Sequence, residues 1–498
     1  MDSDLAAQVQ GDVIPGFRAG HRVYLLWQID DRQRAKQALS DLSRSRSRSV
    51  SSAVDVLSVS SAVDVLQDRG DGRRDSVWLN VAFSRHGLDQ LGITDDVRDD
   101  GGHFRLGIQA ATDRMSESLA GDAAVVVIIA AHDEGMLAAG IENVTRSLSG
   151  GLALSGTLRG DAVSDGDGVQ REPFGFRDGI SEPEVAGAPD AGKAAPGQRA
   201  LPIDRFIIRD SQGARANGSF LVLIKIEQDV QAFKKFCKSG AQVLNAAWEL
   251  NGKLTPDDFA ALLMGRRKDG RPLDLHPIAA NGPPVGGDSL NDFRYANDRI
   301  GARCPLSAHI RKMNPRSPGN MRHVIMRRSI PYHDRENEKV GLLFACYQSS
   351  LADGFVHLQS LWADGPFSSH QSLMDKTNRR TIAASFKTPP KESLNIPPKE
   401  MKPIADVIDW GQLTQRFPKV PEAGPDPVVG LATRRGELGP EILNPRPRGG
   451  STSVPIPLGL HWVTYRDGNY FFVPSLETLR RWFDEGSDPN PRLARGLR

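Results

Sequence analysis

Residues 174–183 read Phe-Gly-Phe-Arg-Asp-Gly-Ile-Ser-Glu-Pro and set a single acid, Asp178, between two glycines. Because glycine carries no Cβ, Gly175 and Gly179 allow the backbone to approach a ligand closely. We therefore predict a tight loop that holds the Asp178 carboxylate at the edge of an apolar pocket, where it can move a proton. Taken alone, an Asp-Gly pair is also an ordinary turn signal. The choice between these interpretations depends on sequence further along the chain.

Three later stretches decide it. Residues 304–316 read Cys-Pro-Leu-Ser-Ala-His-Ile-Arg-Lys-Met-Asn-Pro-Arg, residues 326–332 read Met-Arg-Arg-Ser-Ile-Pro-Tyr, and residues 341–344 read Gly-Leu-Leu-Phe. Together with the earlier Gly-x-x-Asp-Gly pattern, and in this order, they resemble the dye-decolourising peroxidase family of haem enzymes. The Gly-x-x-Asp-Gly pattern is weak by itself, whereas the conjunction is specific. The resemblance extends over most of the chain, from residue 10 to residue 475.

The resemblance implies an α+β fold in which two ferredoxin-like domains form a dimeric α+β barrel-like arrangement. Residues 1–200 would form the domain that carries the Gly-x-x-Asp-Gly motif, and residues 201–498 the haem-binding domain. The hydrophobic pattern independently favours helices packed on an antiparallel sheet, in two similar layers. Strands are predicted at 22–27, 77–83, 123–130, 219–226 and 342–347, helices at 31–43, 133–149, 229–237 and 256–264, and a closing hairpin with an Asp-Gly turn at 465–474 before a helix capped by Ser475.

One segment departs from this pattern. The nine residues 49–57 recur without change at 58–66, after an alternating arginine-serine run at 44–49. Two copies of nine residues are too few for a solenoid. We interpret the segment as an insertion in a surface loop, with a phosphorylatable or RNA-contacting tail as the alternative.

Composition narrows the class of protein. A chain of 498 residues predicts at least two domains, and a net charge of +2 gives no case for a nucleic-acid or membrane surface. Three cysteines without paired spacing indicate reduced thiols, and no Cys-x-x-Cys-His motif occurs. The resemblance implies a haem cofactor, and the missing motif favours non-covalent haem b. The first five residues show no secretory signal, which favours a cytoplasmic protein. Secretion is the alternative if a signal peptide has been removed.

The resemblance assigns roles on the side of the haem where a protein side chain binds the iron. His309 is the candidate ligand, since it occupies the family's Ala-His-x-Arg position and donates the basic imidazole that haem iron requires. Arg311 is expected to pair with a haem propionate, with an exposed arginine as the alternative. Asp426 is a candidate to orient the His309 ring. A turn aspartate is the alternative.

On the peroxide side, the resemblance makes Asp178 the acid–base group and Arg327 the fixed cation. Sequence cannot decide whether Arg327 or its neighbour Arg328 faces the iron. Leu342 and Phe344 match a Leu-x-Phe pair that lines this side in relatives, and alternation along a strand would point both to one face. Ordinary core packing predicts the same burial for this pair.

Two further side chains, Tyr332 and Trp362, lie where relatives place surface oxidation sites for bulky dyes. Packing is the alternative for both. The leading hypothesis is a haem peroxidase that reduces hydrogen peroxide and oxidises aromatic electron donors such as dyes and phenols. A haem-binding or iron-release protein with incidental peroxidase activity, and a ferredoxin-like binding protein without haem, are the alternatives. The oligomeric state is left open by the sequence.

Overall fold

The computed structural model describes residues 2–44, 57–93, 97, 102–108, 122–162, 169–188, 200–209, 215–247, 254–278, 290–296, 298, 301–316, 318–363, 426, 428, 438–443, 453–457 and 462–483. The α-helices within these residues are α1 Ser3–Gln8, α2 Arg32–Arg44, α3 Ala62–Gly70, α4 Arg85–Gln90, α5 His103–Leu106, α6 Glu134–Leu148, α7 Val230–Ala247, α8 Pro256–Met264, α9 His309–Met313 and α10 Leu476–Phe483. The strands are β1 His21–Ile29, β2 Val77–Phe83, β3 Val125–Ala131, β4 Leu152–Asp161, β5 Ser219–Gln228, β6 Met326–Arg327, β7 Ile330–Asp334, β8 Lys339–Gln348, β9 Leu438–Leu443, β10 Ser453–Pro457 and β11 Val463–Val473. No helix of this part of the chain has the length and apolar character needed to cross a membrane.

The first half of the sheet has the strand order of a ferredoxin-like layer. Its antiparallel strands run β4-β1-β3-β2, and helices α2 and α6 follow β1 and β3 in the chain. Strand β3 is buried along its whole length. Its alternate residues enter two different cores, with Val127 packed in one and Ile128 in the other. A strand covered on both faces requires apolar residues at every position, which explains its unbroken hydrophobic run.

The second half repeats this order as β11-β5-β8-β6, with β7 also paired to β8. The two halves join where β11 pairs with β2 at Phe472 and Phe83. At the other edge, Gly160 of β4 lies so close to Ile330 and Pro331 of β7 that a Cβ at residue 160 would clash with both. The sheet therefore curls until its edges meet, and the predicted α+β barrel-like fold is confirmed. The division of the chain at residue 200 stays a prediction.

The closing segment corrects the sequence prediction. Strand β11 continues from Val463 to Val473, whereas a hairpin was expected at 465–474. The register shifts between Tyr465 and Asp467, so Arg466 is an extra residue in a bulge. Asp467 is fully buried and its carboxylate accepts the Gly468 N–H at 2.7 Å. The Asp-Gly pair thus lies next to a bulge within one long strand and does not form a hairpin turn. The expected cap is present, with the Thr478 N–H donating to Ser475 Oγ at 3.2 Å.

The repeated nonapeptide also differs from the expected surface insertion. Val59 and Val65 of the second copy are buried, and Ser61 caps α3 in a reciprocal arrangement with Asp64. Leu57, the last residue of the first copy, is buried as well. The second copy is therefore part of the fold, because its apolar residues pack against the sheet. Residues 45–56, which hold most of the arginine-serine run and most of the first copy, lie outside the described residues.

Candidate active site

Both halves of the sheet contribute walls to a cavity of about 750 Å³. From the first half come the residues around Asp178, which form a short hairpin. From the second half come the start of α9, the cavity face of β8 and the segment that carries Arg327. The side chains of Asp178, His309, Arg327, Leu342 and Phe344 all line this space. The structure thus brings five of the predicted site residues together from positions far apart in sequence.

His309 is the first residue of α9, and its ring is fixed by a buried acid. Nδ1 lies 2.8 Å from Oδ2 of Asp426, whose side chain is fully buried. Asp426 is held in turn, because its own N–H donates to the Ala363 carbonyl and its Oδ1 accepts the Val428 N–H, each at 2.8 Å. A proton on Nδ1 leaves the Nε2 lone pair for a metal. Within the described residues no hydrogen bond engages Nε2.

Asp178 is positioned mainly by its backbone. Its N–H donates to the Gln170 carbonyl at 2.9 Å, and its Oδ1 accepts the N–H of Gly179 at 2.7 Å. The side chain is accessible from the cavity, but the cavity lies deep enough in the protein for burial to raise the pKa of this carboxyl above its usual range. The Gly179 hydrogen bond and the positive charge of Arg327 oppose that rise. Such a carboxyl is suited to both accepting and returning a proton.

The structure distinguishes the two neighbouring arginines. Arg328 is buried and its guanidinium is fully engaged, by three carbonyl oxygens within residues 12–15 and by Oε2 of Glu182 at 3.0 Å. Arg327 is half-buried, and in the described part of the chain its guanidinium makes one hydrogen bond, from Nη2 to the Ser181 carbonyl at 3.2 Å. Arg327 is therefore the arginine with donors available to a ligand in the cavity.

Arg311 requires a correction, because it does not line the cavity. Its Nη1 donates to Asp298 Oδ2 at 2.8 Å and to the Cys304 carbonyl at 2.6 Å, and its guanidinium lies 4.6 Å from the centre of the Tyr295 ring. Residues two apart on an α-helix point in nearly opposite directions. Arg311 therefore turns away from the cavity that His309 faces, and it anchors the loop that leads into α9.

Several arginines that the sequence analysis missed line the cavity, and two of them are Arg316 and Arg266. Arg316 donates to the carbonyl and the side-chain oxygen of Asn291, both at 2.6 Å. Arg266 donates to the Ser181 hydroxyl at 2.9 Å, and burial among other cations lowers its pKa to about 10. Arg316 closes the same motif that contains His309, which is the only signal that could have indicated it. Both side chains can offer positive charge to the carboxylates of a ligand.

Leu342 and Phe344 follow the predicted alternation on β8. Both are half-buried and line the cavity, while Leu343 between them is buried in the core on the other face. These two side chains give that wall an apolar surface, as a flat macrocycle requires.

The predicted surface oxidation sites have different outcomes. Tyr332 is only 6% exposed and packs in the core beneath β7, with the Lys225 ammonium 5.8 Å from its ring centre. Its assignment as a surface site is wrong, because the inward face of β7 carries it. The side chain of Trp362 lies outside the described residues.

The residues present fit a haem. Among the described residues no group of three or more His, Cys, Asp or Glu side chains could hold a metal ion by protein ligands alone. A lone imidazole with an available Nε2, a large cavity with apolar walls and two arginines for carboxylates instead suit a metal carried by a macrocycle. Asp178 and Arg327, which line the same cavity, are the groups that peroxide chemistry requires. The fold and the cavity together define a haem peroxidase of the α+β barrel class.

Comparison with known proteins agrees. Residues 8–162 match the family described as "DyP dimeric alpha+beta barrel domain", and residues 260–393 match "Dyp-type peroxidase, C-terminal". A dye-decolorizing peroxidase of Exidia glandulosa is 30% identical over 402 residues, which cover 72% of this chain and 74% of that protein. An ancestral D-type dye decolorizing peroxidase is 26% identical, with a TM-score of 0.71 over 96% of this chain and 99% of that one. A dye-decolorizing peroxidase in complex with 2,6-dimethoxyphenol is 25% identical, with a TM-score of 0.69 over 95% of this chain and 98% of that one.

The chain belongs to the dye-decolourising peroxidase family. It is a haem peroxidase of the dye-decolourising type.

Proposed function

We propose that the chain binds haem b without a covalent bond, with His309 as the ligand of the iron and Asp426 as the group that orients its ring. The observation that carries the proposal is the 2.8 Å contact between His309 Nδ1 and Asp426, made on a wall of the same cavity that Asp178 and Arg327 line. No cysteine lies among the described residues that line the cavity, which supports a haem without thioether bonds. Arg316 and Arg266 would pair with its propionates.

The remaining groups act on hydrogen peroxide. When bound, the haem would supply the redox chemistry that cleaves the O–O bond of the peroxide and later takes electrons from an aromatic donor. The ionised Asp178 carboxylate takes a proton from one peroxide oxygen and returns it to the oxygen that leaves as water. Arg327 stabilises the negative charge that develops as the O–O bond lengthens, since a guanidinium stays charged at any working pH. Leu342 and Phe344 limit the space beside the peroxide, so that small molecules enter and most bulk water is kept out of the cavity.

The Asp178→Asn variant tests this assignment. We expect it to keep its haem, as judged by the Soret band, and to lose roughly 10²- to 10⁴-fold of its turnover of hydrogen peroxide. In the unsubstituted protein, turnover should fall as the pH drops through the pKa of Asp178, which burial holds above the usual range of an aspartate. The variant should lack that dependence. A variant that keeps both its turnover and its acid limb would contradict the proposal and would favour the haem-binding or iron-release alternative.

A further inference from the structure

Glu172 is a half-buried carboxylate that the proposed chemistry does not use. It lines the cavity, six residues before Asp178 in the chain. Its Oε1 accepts the Phe176 N–H at 3.0 Å, and its Oε2 accepts the Phe174 N–H at 3.0 Å and Nε2 of Gln228 at 2.8 Å. Burial raises the pKa of Glu172, and the negative charge of Asp178 adds to that rise. Placing a carboxylate here is costly, so a role is expected of it.

These hydrogen bonds close the hairpin that ends at Asp178. Within it, the Glu172 N–H donates to the Phe176 carbonyl at 3.0 Å, and the Asp178 N–H donates to the Gln170 carbonyl at 2.9 Å. The tip turns at Gly175, whose φ of 92° favours glycine. Backbone pairing alone leaves the Phe174 and Phe176 N–H groups facing inward, and the Glu172 carboxylate accepts both. The Glu172 carboxylate therefore holds the hairpin together by accepting the hydrogen bonds that its backbone pairing leaves unmade.

The same carboxylate fastens the hairpin to the other half of the sheet. Gln228 is the last residue of β5 and is 6% exposed. Its Nε2 donates to Glu172, while its Oε1 is buried and has no hydrogen-bond partner within the described residues. The bond to Glu172 is thus what fixes the orientation of this amide. Nearby, Phe174 stacks on Phe233 of α7 with ring centres 4.2 Å apart, which joins the hairpin tip to the same half.

Asp178 depends on this attachment because little else holds its side chain. The single hydrogen bond to its carboxylate among the described residues comes from Gly179, its own neighbour in the chain. The place of the carboxylate in the cavity therefore follows the place of its backbone. A displacement of about 1 Å is enough to slow a positioned reaction roughly 100-fold.

We propose that Glu172 is a positioning residue for Asp178, which closes the hairpin 170–178 and fixes it to β5 through Gln228. The inference rests on the proposed function of Asp178 as the acid–base group. Glutamine has the shape of glutamate but only one acceptor oxygen, so in Glu172→Gln an NH₂ group faces a backbone N–H or the amide of Gln228. The hairpin must then shift to separate the two donors.

The test is a double-mutant cycle on the haem-loaded full chain. The measured quantity is the second-order rate constant for reaction with hydrogen peroxide, across pH, in Glu172→Gln, Asp178→Asn and the double variant. We expect Glu172→Gln to keep the haem content and the Soret band and to lose roughly 10- to 100-fold in rate. Its acid limb should move to lower pH, because a carboxylate that leaves its buried position regains water. In the Asp178→Asn background the same substitution should change the rate less than about threefold.

A second readout does not depend on activity. Amide hydrogen exchange of the peptide covering 170–178 should be faster in Glu172→Gln, since the Phe174 and Phe176 N–H groups lose their acceptor. The control is Glu184→Gln, which removes one negative charge just beyond the loop at a residue that does not line the cavity. It should match the unsubstituted protein in rate and in exchange.

The outcomes separate the two proposals. If Asp178→Asn leaves the rate unchanged, the proposed function of Asp178 fails whatever Glu172 does. If Asp178→Asn is slow but Glu172→Gln is within twofold of the unsubstituted protein, or slows both backgrounds equally, the positioning role is overturned. If Glu172→Gln does not fold or load haem, Gln228→Leu decides, because it removes one hydrogen bond and no charge. We then expect a loss of roughly 3- to 10-fold that disappears in the Asp178→Asn background, and no loss would overturn the proposal.

Discussion

The two walls of the cavity hold their functional groups by different means. On the second-half side, two side chains are each held by a buried carboxylate: Asp426 contacts the His309 ring, and Asp298 pairs with Arg311, which points away from the cavity. On the first-half wall, Asp178 has no such partner among the described residues beyond the N–H of Gly179. The His309 side chain is therefore held by a direct contact with a buried carboxylate, whereas Asp178 is held mainly through its main chain.

This difference has a chemical reason. An imidazole that binds a metal must keep one tautomer and one ring direction, and a carboxylate on Nδ1 provides both. A carboxylate that accepts and returns protons must not be neutralised by a close cation, because a salt bridge would lower its pKa and weaken it as a base. Its position is then best set through the main chain. Substitutions in the buried ion pairs should therefore act on stability, and substitutions of Asp178 or Arg327 on reaction rate.

The largest expected effect is on the stability of the protein, through the buried ion pair between Arg311 and Asp298. Arg311→Met leaves Asp298 buried and without its cation, since both side chains of this pair are at most 3% exposed. Breaking such a pair costs about 3–5 kcal/mol of the free energy of unfolding. Urea denaturation of the haem-loaded protein measures it. The control is Arg146→Met, which removes an exposed pair with Glu142 on α6 and should cost less than about 1 kcal/mol. Equal stability of the two variants would contradict the structural role of Arg311.

The next effect separates the neighbouring arginines. Arg327→Leu should slow the reaction with hydrogen peroxide roughly 10²- to 10³-fold, because it removes the cation whose charge acts on Asp178, and should change stability by less than about 0.5 kcal/mol. Arg328→Leu should instead lower the free energy of unfolding by about 3 kcal/mol, since it leaves Glu182 and several buried carbonyls without their donor. Rapid-mixing kinetics and urea denaturation on both variants check this. The reverse division between the two arginines would show that Arg328 faces the peroxide.

The smallest expected effect is on the pH dependence of the free energy of unfolding, and it comes from a histidine pair that the proposed chemistry does not use. His323 and His357 stack beside the cavity with ring centres 3.5 Å apart, and burial, with His323 and Arg322 nearby, lowers the pKa of His357 to about 3. Burial and the charges of Arg322 and Arg205 lower the pKa of His323 too, against the opposing effect of Asp353. Unfolded histidine titrates near ~6.5, so between that pH and about 3 the unfolded chain binds the extra proton.

The contribution of this pair to the free energy of unfolding therefore has its maximum value above pH ~6.5. It declines as the pH falls below that value. His357→Phe keeps a ring in the stack but cannot be protonated, so the decline between pH 7 and pH 5 should be reduced by about 1 kcal/mol, a figure lowered for the partial exposure of His357. Thermal unfolding across this pH range measures the change. Parallel curves for the variant and the unsubstituted protein would exclude a contribution from His357.

The sequence predicted the parts of the molecule that depend on local pattern or on motif order. The alternation at 77–83 matched β2, and the motifs containing Asp178 and His309 met in one cavity although 131 residues separate them in the chain. The contact between His309 and Asp426, which spans 117 positions, was a weaker hypothesis from the same resemblance, and its geometry is present.

What the sequence could not provide depends on side-chain direction and on register. Arg311 points away from the cavity because α9 turns about 100° per residue, and that consequence needs the helix to be known. Tyr332 shares the inward face of β7 with Ile330, so its burial follows from the face of a strand only five residues long. The Asp467–Gly468 pair reads as a turn in isolation, and only its pairing with β5 reveals a bulge.

The most direct test of the account is a haem titration of His309→Gly, followed through the Soret band with and without added imidazole. The unsubstituted protein and Asp178→Asn should each bind one haem tightly. His309→Gly should bind it weakly, and imidazole, entering the space left by the side chain, should restore the spectrum of a haem with a nitrogen ligand. A His309→Gly variant that binds haem with an unchanged spectrum in the absence of imidazole would contradict the assignment of His309 as the ligand, and with it the arrangement of the two walls around one macrocycle.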